Sequence, residues 1–312
     1  MTLKQLKKAA VAGGMVLGCL APLSGAQAST WTLSGSLVTH DPSMVVEGST
    51  WWVFETSDTG MGVKYSPDGR KWTQGVSLFG NGLSWWGKYN GNTKKAWAPD
   101  ISTWNGKAIV YYAVSTFGSR NSAIGLATAT SIAKGDWVDR GAVLTSSSSS
   151  DFNAIDPNFS VDASGQPWLT YGSWSSGIYT MRLDPNTLKP YGSRYRLAAD
   201  SSGIENPQIV RMGSYYYLFV SKGTCCSGGS STYRIAYGRS SSITGPYLDK
   251  NGVNMVNGGG TILEAGAGQW VGPGGQHVAN GAIIRHKLDA NNNYLPIMFI
   301  SNIYFSSGWP SF

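Results

Sequence analysis

The chain has 312 residues, with 24 Lys and Arg against 17 Asp and Glu, a formal charge of +7. Only 13% of residues are charged, while Gly numbers 41, Trp 13 and Tyr 16. This balance excludes a disordered chain and a helical bundle and suits a Gly-punctuated extracellular β protein. No Lys/Arg run offers the clustered phosphate contacts of a nucleic-acid-binding surface.

Residues 1–28 read as a signal peptide. Lys4, Lys7 and Lys8 form a basic n-region, and "AAVAGGMVLGCLAPL" is an apolar stretch too short to span a bilayer comfortably. "AQA", Ala26 to Ala28, is an A-x-A cleavage site. Cleavage before Ser29 predicts a secreted chain, extracellular or periplasmic, with no membrane association after processing. "VLGC" loosely resembles a lipobox, which makes lipid attachment at Cys19 the alternative. Processing at Ser29 leaves a charge of 24 − 3 − 17 = +4, a weak attraction to acidic polysaccharide surfaces. Residues 29–312 read as a single domain, expected to be monomeric.

Short β-rich runs follow in chain order: "STWWVFET", "MGVKYS", "KAIVYYAVS", "SAIGLATAT", "QPWLTYGSW", "GIYTMRL", "SYYYLFVSK", "YRIAYGRS" and "LPIMFISNIYF". Turn signals such as "PDGR", "WNGK", "DASGQP" and "DANNN" separate them. An acid beside a proline recurs at the start of such runs: Asp41 in "HDP", Asp100 in "APD", Asp156 in "IDP" and Glu205 in "IENP". The steps are 100 − 41 = 59, 156 − 100 = 56 and 205 − 156 = 49, and "WVGPGGQH" supplies a fifth start at Gly275, a further 70 residues on. Blades of a propeller run to about 40–50 residues and carry four strands. The expectation is an all-β, five-bladed propeller whose acids gather at one mouth. A single Asp-Pro is ordinary turn chemistry; recurrence at blade spacing is what favours a shared site.

Only Cys225 and Cys226 remain after cleavage. Adjacent Cα atoms lie about 3.8 Å apart, below the usual disulfide range. The pair is therefore either two thiols or one vicinal disulfide that stiffens a loop.

Glycoside hydrolysis needs one carboxylic acid to protonate the leaving oxygen and one carboxylate to activate water or attack carbon. A third acid nearby raises the proton donor's pKa by like-charge repulsion. Aromatic faces stack on sugar rings. Trp52, Tyr112 and Tyr216 lie inside strands and read as core, whereas Trp85, Trp86, Trp97 and Trp174 lie in loops near the acids.

"HDPSM", "AWAPDIS", "SAIGLATATSI", "NAIDPNF", "IENPQI", "STYRIAYGRSSSITGPYLDKNG" and "GGGTIL" together resemble the secreted endo-arabinanases of glycoside hydrolase family 43 over essentially the whole chain after residue 28. The resemblance implies a five-bladed propeller that cleaves α-1,5-linked L-arabinan internally, with inversion, and so degrades side chains of pectin. It makes Asp41 the general base, Glu205 the general acid and Asp156 the residue that orients and tunes the acid; Asp100 matches a position without a usual catalytic role. Gly118, Asn153, Ser173, Trp174, Ser175 and Trp97 become the expected contacts to arabinan and arabino-oligosaccharides. Inversion implies carboxyls about 6.5–9.5 Å apart. Many such enzymes also carry a GPGH-type start to the fifth blade whose His contacts a metal, usually taken as calcium. Here Gly275 stands in that place, which leaves His277 as the candidate ligand for Ca2+, with His286 the other candidate for the axis. An exo-acting arabinofuranosidase or xylosidase, and a non-catalytic carbohydrate-binding propeller, are the rival readings. No organic cofactor is expected.

Overall fold

In the computed structural model, which describes residues 30–312, the innermost strands Ser43–Glu47, Trp97–Trp104, Asn158–Val161, Ile204–Met212 and Trp270–Ala279 touch one another in a closed circuit. Each begins an antiparallel sheet that meanders outward, so the molecule is a five-bladed β-propeller. The expected signal peptide lies outside the described residues.

The phrase that opens each blade has a common backbone. Asp41, Ala98, Asp156, Asn206 and Gly272 all have positive φ, between 41° and 56°, and each stands directly before a proline. Asp, Asn and Gly accept the left-handed region more readily than other residues; proline then opens the strand, where its missing N–H costs least. The spacings between these residues are 98 − 41 = 57, 156 − 98 = 58, 206 − 156 = 50 and 272 − 206 = 66. The repeating unit is thus a left-handed residue before proline. The acids decorate it at different places: Asp41 and Asp156 on the left-handed residue, Glu205 one before it and Asp100 two after.

That difference in register separates Asp100 from the other acids. Two residues past the left-handed position, the side chain reaches sideways to the main chain of the next blade. Ser43 Oγ accepts from Ile101 N at 3.0 Å, Asp100 Oδ2 from Phe159 N at 2.7 Å, Asn158 Oδ1 from Ile209 N at 2.9 Å and Gln208 Oε1 from Val278 N at 2.6 Å. His277 Nδ1 completes the circuit by accepting from Met44 N at 3.3 Å. These five bonds form a polar belt around the axis. Each is worth about 1 kcal/mol net, and leaving such a buried donor without a partner costs about 1–3 kcal/mol.

The ring closes through the amino-terminal end. Trp31 N donates to Ile300 O at 2.8 Å, Met298 N to Leu37 O at 2.8 Å and Thr39 N to Pro296 O at 2.9 Å. Residues 30–39 therefore join the last blade to the first: Trp31, Leu37 and Thr39 bond to Leu295–Asn302, while Ser34–Gly35 pairs with Lys71–Trp72 at the edge of the first blade. The carboxyl-terminal hairpin, Tyr304–Ser306 with Trp309–Ser311, packs on the fourth blade through Phe305 against Tyr217, 4.8 Å between centroids, and Arg239 over Trp309 at 4.0 Å.

Apolar residues fill the gaps between blades. One cluster, between the first and second blades, contains Phe54, Met61, Trp86, Val110 and Tyr112. Trp86 is only 1% exposed, and Trp85 spends its Nε1–H on Asp139 Oδ2 at 3.0 Å. Neither loop tryptophan faces the sugar mouth as expected; the short helix Gly87–Asn90 turns this segment inward. Tyr112 and Tyr216 are buried, as expected, and Trp52 packs at the edge of the same cluster.

Candidate active site

A cavity of about 650 Å3 opens at the mouth where the inner strands begin, and Asp41, Asp156 and Glu205 all line it. Asp100 does not: it is buried in the belt, where Asn158 Nδ2 also donates to its Oδ1 at 3.0 Å. Asp41, Asp156 and Glu205 are each held by their own partners, and among the described residues none of the three bonds to another.

Asp41 is gripped from several sides. Thr56 Oγ1, at the end of the strand Thr50–Thr56, donates to Asp41 Oδ2 at 2.7 Å and itself accepts from Ala98 N at 2.8 Å. His40 Nδ1 lies 3.0 Å from the same oxygen, and His286 Nδ1 lies 3.7 Å from Oδ1. Burial opposes the Asp41 charge, but the interaction with His40 outweighs it and holds the carboxyl well below the usual carboxylate range. For His40 too, burial works against the charged form, and Asp41, Glu205 and Glu55 together overcome it and raise the pKa. His286, fully buried and stacked on His40 at 4.4 Å, is pushed down to about 3 by burial and by its neighbour, so it stays neutral.

Gly275 is what lets Asp41 and His286 come together. Its φ is +57°, and a Cβ there would stand 2.6 Å from Asp41 Oδ1 and 2.7 Å from His286 Nδ1. Any side chain at this position drives into the base. The glycine of "GPGGQH" is therefore a steric requirement of this site.

Glu205 has the opposite electrostatics. Burial raises its pKa, Tyr233 and Ser173 hydrogen bonds oppose the rise, and the Asp41 charge adds to it. Tyr233 OH donates to Oε2 at 2.7 Å and Ser173 Oγ to Oε1 at 2.9 Å. Asp156 is raised further, by burial and by the charges of Glu205 and Asp41, with one hydrogen bond, from Asn206 N at 2.9 Å, to favour its ionised form. Asp156 and Glu205 form one titrating pair, whose protons leave in two steps belonging to both. The site thus sets a carboxyl held to its ionised form, Asp41, against two whose pKa values are raised.

All six expected sugar contacts, Trp97, Gly118, Asn153, Ser173, Trp174 and Ser175, line the cavity. Trp174 is 46% exposed and rests against Gly203, where a Cβ would lie 2.4 Å from its ring. Gly118 (φ +77°) has open space around it. Asn153 braces the rim, donating from Nδ2 to Ser119 O at 3.2 Å. Sequence reasoning missed Thr56, Phe117, Tyr233 and the Cys225–Cys226 pair, which also line the cavity. Phe117 is 83% exposed there, a second apolar face for a sugar. The two cysteines are joined as a vicinal disulfide, with Cα atoms 3.8 Å apart.

His277 does not fit the calcium site expected for it. Its Nδ1 is taken by Met44 N and its Nε2 lies 3.4 Å from Asp100 Oδ1, so both nitrogens serve the belt. Calcium takes six to eight oxygens, and His277 belongs to neither of the two groups of three or more ligating side chains found among the described residues. The histidine nitrogen that is buried without a partner is Nε2 of His286. The Nδ1 of that ring accepts from Asp41 N at 3.2 Å, so in the neutral ring the proton sits on Nε2 and that atom offers no lone pair to a cation.

Residues 35–310 match the model of glycosyl hydrolases family 43. The chain is 49% identical to an extracellular endo-α-(1→5)-L-arabinanase of Bacillus subtilis over 97% of this chain and 95% of that one. It is 37% identical to an extracellular exo-α-(1→5)-L-arabinofuranosidase of Cellvibrio japonicus over 87% and 85%. Among solved structures, the family 43 endo-arabinanase of Bacillus licheniformis superposes with a TM-score of 0.88 at 49% identity, covering 90% of this chain and all of that one. With matching spanning all five blades and Asp41, Asp156 and Glu205, the chain belongs to glycosyl hydrolases family 43.

Proposed function

We propose that this chain is a secreted, inverting endo-arabinanase that hydrolyses internal α-1,5-L-arabinofuranosidic bonds of arabinan. The observation that carries the reading is the opposed proton affinity of Asp41 and Glu205 across one cavity. Asp41, held ionised, takes a proton from water as that water attacks the anomeric carbon. Glu205, held protonated, gives its proton to the departing oxygen. Asp156 lies beside Glu205 as a further buried carboxyl whose charge state follows that of the acid. Trp97, Trp174 and Phe117 offer faces to the furanose rings, and Gly118, Asn153, Ser173 and Ser175 keep the floor small and polar. Both proton transfers are carried by the chain's own carboxyls. The similarity to the Bacillus enzymes favours internal cleavage and export, and the signal-like residues 1–28 agree with export.

The exo reading keeps the same acids and is favoured by the 37% identical Cellvibrio relative. Digestion of linear arabinan with product sizes followed over time separates the two. Internal cleavage yields a spread of oligosaccharides at the earliest times. Release of a single short product from the first turnover onward would overturn the endo assignment. Proton NMR of the first-formed reducing end should show the inverted anomer; the retained anomer would overturn the roles of Asp41 and water.

A further inference from the structure

The Cys225–Cys226 pair sits in the catalytic cavity beside the base's own histidine. The loop that carries it leaves the strand Tyr215–Lys222, which pairs with the Glu205 strand, and crosses to His40, 185 residues away in sequence. It is pinned by Thr224 N donating to Thr232 Oγ1 at 3.0 Å and by Ser231 Oγ donating to Thr224 O at 2.9 Å. Cys225 Sγ lies 3.8 Å and Cys226 Sγ 3.9 Å from His40 Nε2.

We infer that reduction of this disulfide creates a soft-metal site, built from the two thiolates and His40 Nε2, that overlaps the catalytic cavity. The geometry already matches. With Zn–S about 2.3 Å and Zn–N about 2.0–2.1 Å, a tetrahedral site has N···S edges of about 3.6 Å and an S···S edge of about 3.8 Å. The observed N···S separations are 3.8 and 3.9 Å. Only the sulfurs must part, and breaking their bond allows that. The tautomer is also set: with Nδ1 3.0 Å from Asp41 Oδ2, the ring proton faces the carboxylate and the Nε2 lone pair faces the sulfurs. This is the carboxylate–histidine–metal arrangement that orients ligating imidazoles. A donor set of two thiolates and one imidazole selects soft or borderline ions such as Cd2+, Zn2+ and Cu+ and leaves a fourth position open.

The chemistry is a two-electron reduction followed by chelation. A trialkylphosphine attacks one sulfur; with water it yields two thiols and the phosphine oxide. Cd2+ then displaces the two thiol protons, which are released to solvent. In the oxidised chain both sulfurs are tied to each other and no site exists. Once bound, the ion occupies space next to Asp41 and draws His40 electron density away from it, so hydrolysis should fall.

The test uses Cd2+ alone as probe on oxidised enzyme, phosphine-reduced enzyme and the Cys225→Ser/Cys226→Ser double variant. Beyond residue 28 the chain has no other cysteine, so every thiolate signal in the processed protein reports this pair. Reduced enzyme should show thiolate-to-cadmium charge-transfer absorbance that saturates at one ion per chain, and a rate lower by about tenfold or more relative to its own metal-free rate. Oxidised enzyme and the double variant should show neither. His40→Gln, read by binding only, should weaken Cd2+ affinity of the reduced chain by about tenfold or more. Absence of the absorbance in reduced wild type at stoichiometric Cd2+ would overturn the site, as would unchanged affinity in His40→Gln. Equal inhibition of the double variant would overturn the link to activity. The binding readout does not depend on the hydrolytic assignment, so the two can fail separately.

Discussion

His277 Nδ1 accepts the main-chain N–H of Met44 at 3.3 Å, and with this bond the fifth blade is joined to the first. Asp100 does the same for Phe159 between the second and third blades. Asp100→Ala leaves the buried Phe159 N–H and the Asn158 amide without their acceptor, and should cost about 2–5 kcal/mol of stability. His277→Ala should cost about 1–3 kcal/mol. Denaturant midpoints check both. The folded fraction of each variant should keep kcat within about threefold of wild type at low temperature, because neither side chain reaches the cavity.

Gly275→Ala should act on chemistry. Its Cβ would meet Asp41 Oδ1 and His286 Nδ1 within 3 Å, in a left-handed backbone. The expected result is a fall in kcat of about 10²-fold, as for a misplaced catalytic group, with KM moved far less. Gly118→Ala shares the left-handed backbone but meets no atoms. It should lose about 1 kcal/mol of stability and little kcat. Steady-state kinetics on linear arabinan compare the two.

The pH profile follows from the two carboxyls. Activity requires Asp41 ionised, and its depressed pKa places the acidic limb low. It requires Glu205 protonated, and its raised pKa carries the alkaline limb upward. Tyr233 OH donates to the Glu205 carboxylate and favours the ionised form. Tyr233→Phe should therefore raise the Glu205 pKa further and move the alkaline limb to higher pH, leaving the acidic limb in place. An alkaline limb that moves to lower pH would contradict this assignment.

Asp156 should be a cost to the fold. Its pKa is raised on folding, so the folded chain holds the proton longer than the unfolded one. The associated stability is present below the unfolded pKa, near 4, and is lost as pH rises through the raised folded value. Asp156→Asn keeps an acceptor for Asn206 N and removes the ionisable group. It should raise the melting temperature at neutral pH, by roughly 2–4 °C for each kcal/mol regained, and should have little effect near pH 3, while greatly reducing activity. Calorimetry at the two pH values checks the sign.

The propeller was legible because its inner and middle strands carry dense apolar and aromatic runs at blade spacing. The outermost strands Lys71–Gln74, Val138–Ser146, Pro190–Ala198 and Thr261–Glu264 were not. Lys71–Gln74 and Thr261–Glu264 are only four residues long, and Val138–Ser146 and Pro190–Ala198 are broken by polar residues and mostly half-buried or exposed, so none carries a long apolar run to detect. The acids are visible as a recurring phrase, but they stand at different offsets from the feature that repeats: none for Asp41 and Asp156, one before for Glu205 and two after for Asp100. That feature is a left-handed residue before proline, and backbone sign is not written in side-chain type when Ala98 shares it with Asp41. The belt was hidden for a related reason: Ser43, Asp100, Asn158, Gln208 and His277 do one job with five chemistries. Trp86 looked like a sugar platform because it lies outside any strand, and only the turn after it shows that it points into the core. Tyr233 and Thr56 reach the acids from strand ends whose facing depends on blade twist.

The central claim is that Asp41 and Glu205 divide the proton transfers of one displacement. It is tested most directly by rates of Asp41→Ala and Glu205→Ala on linear arabinan and on a 4-nitrophenyl arabino-oligosaccharide, whose leaving group needs no proton. Glu205→Ala should lose about 10²–10⁴-fold on arabinan yet retain most of its rate on the nitrophenyl substrate, while Asp41→Ala should lose heavily on both. Equal losses by Glu205→Ala on the two substrates, or a wild-type rate for Asp41→Ala on either, would contradict the account.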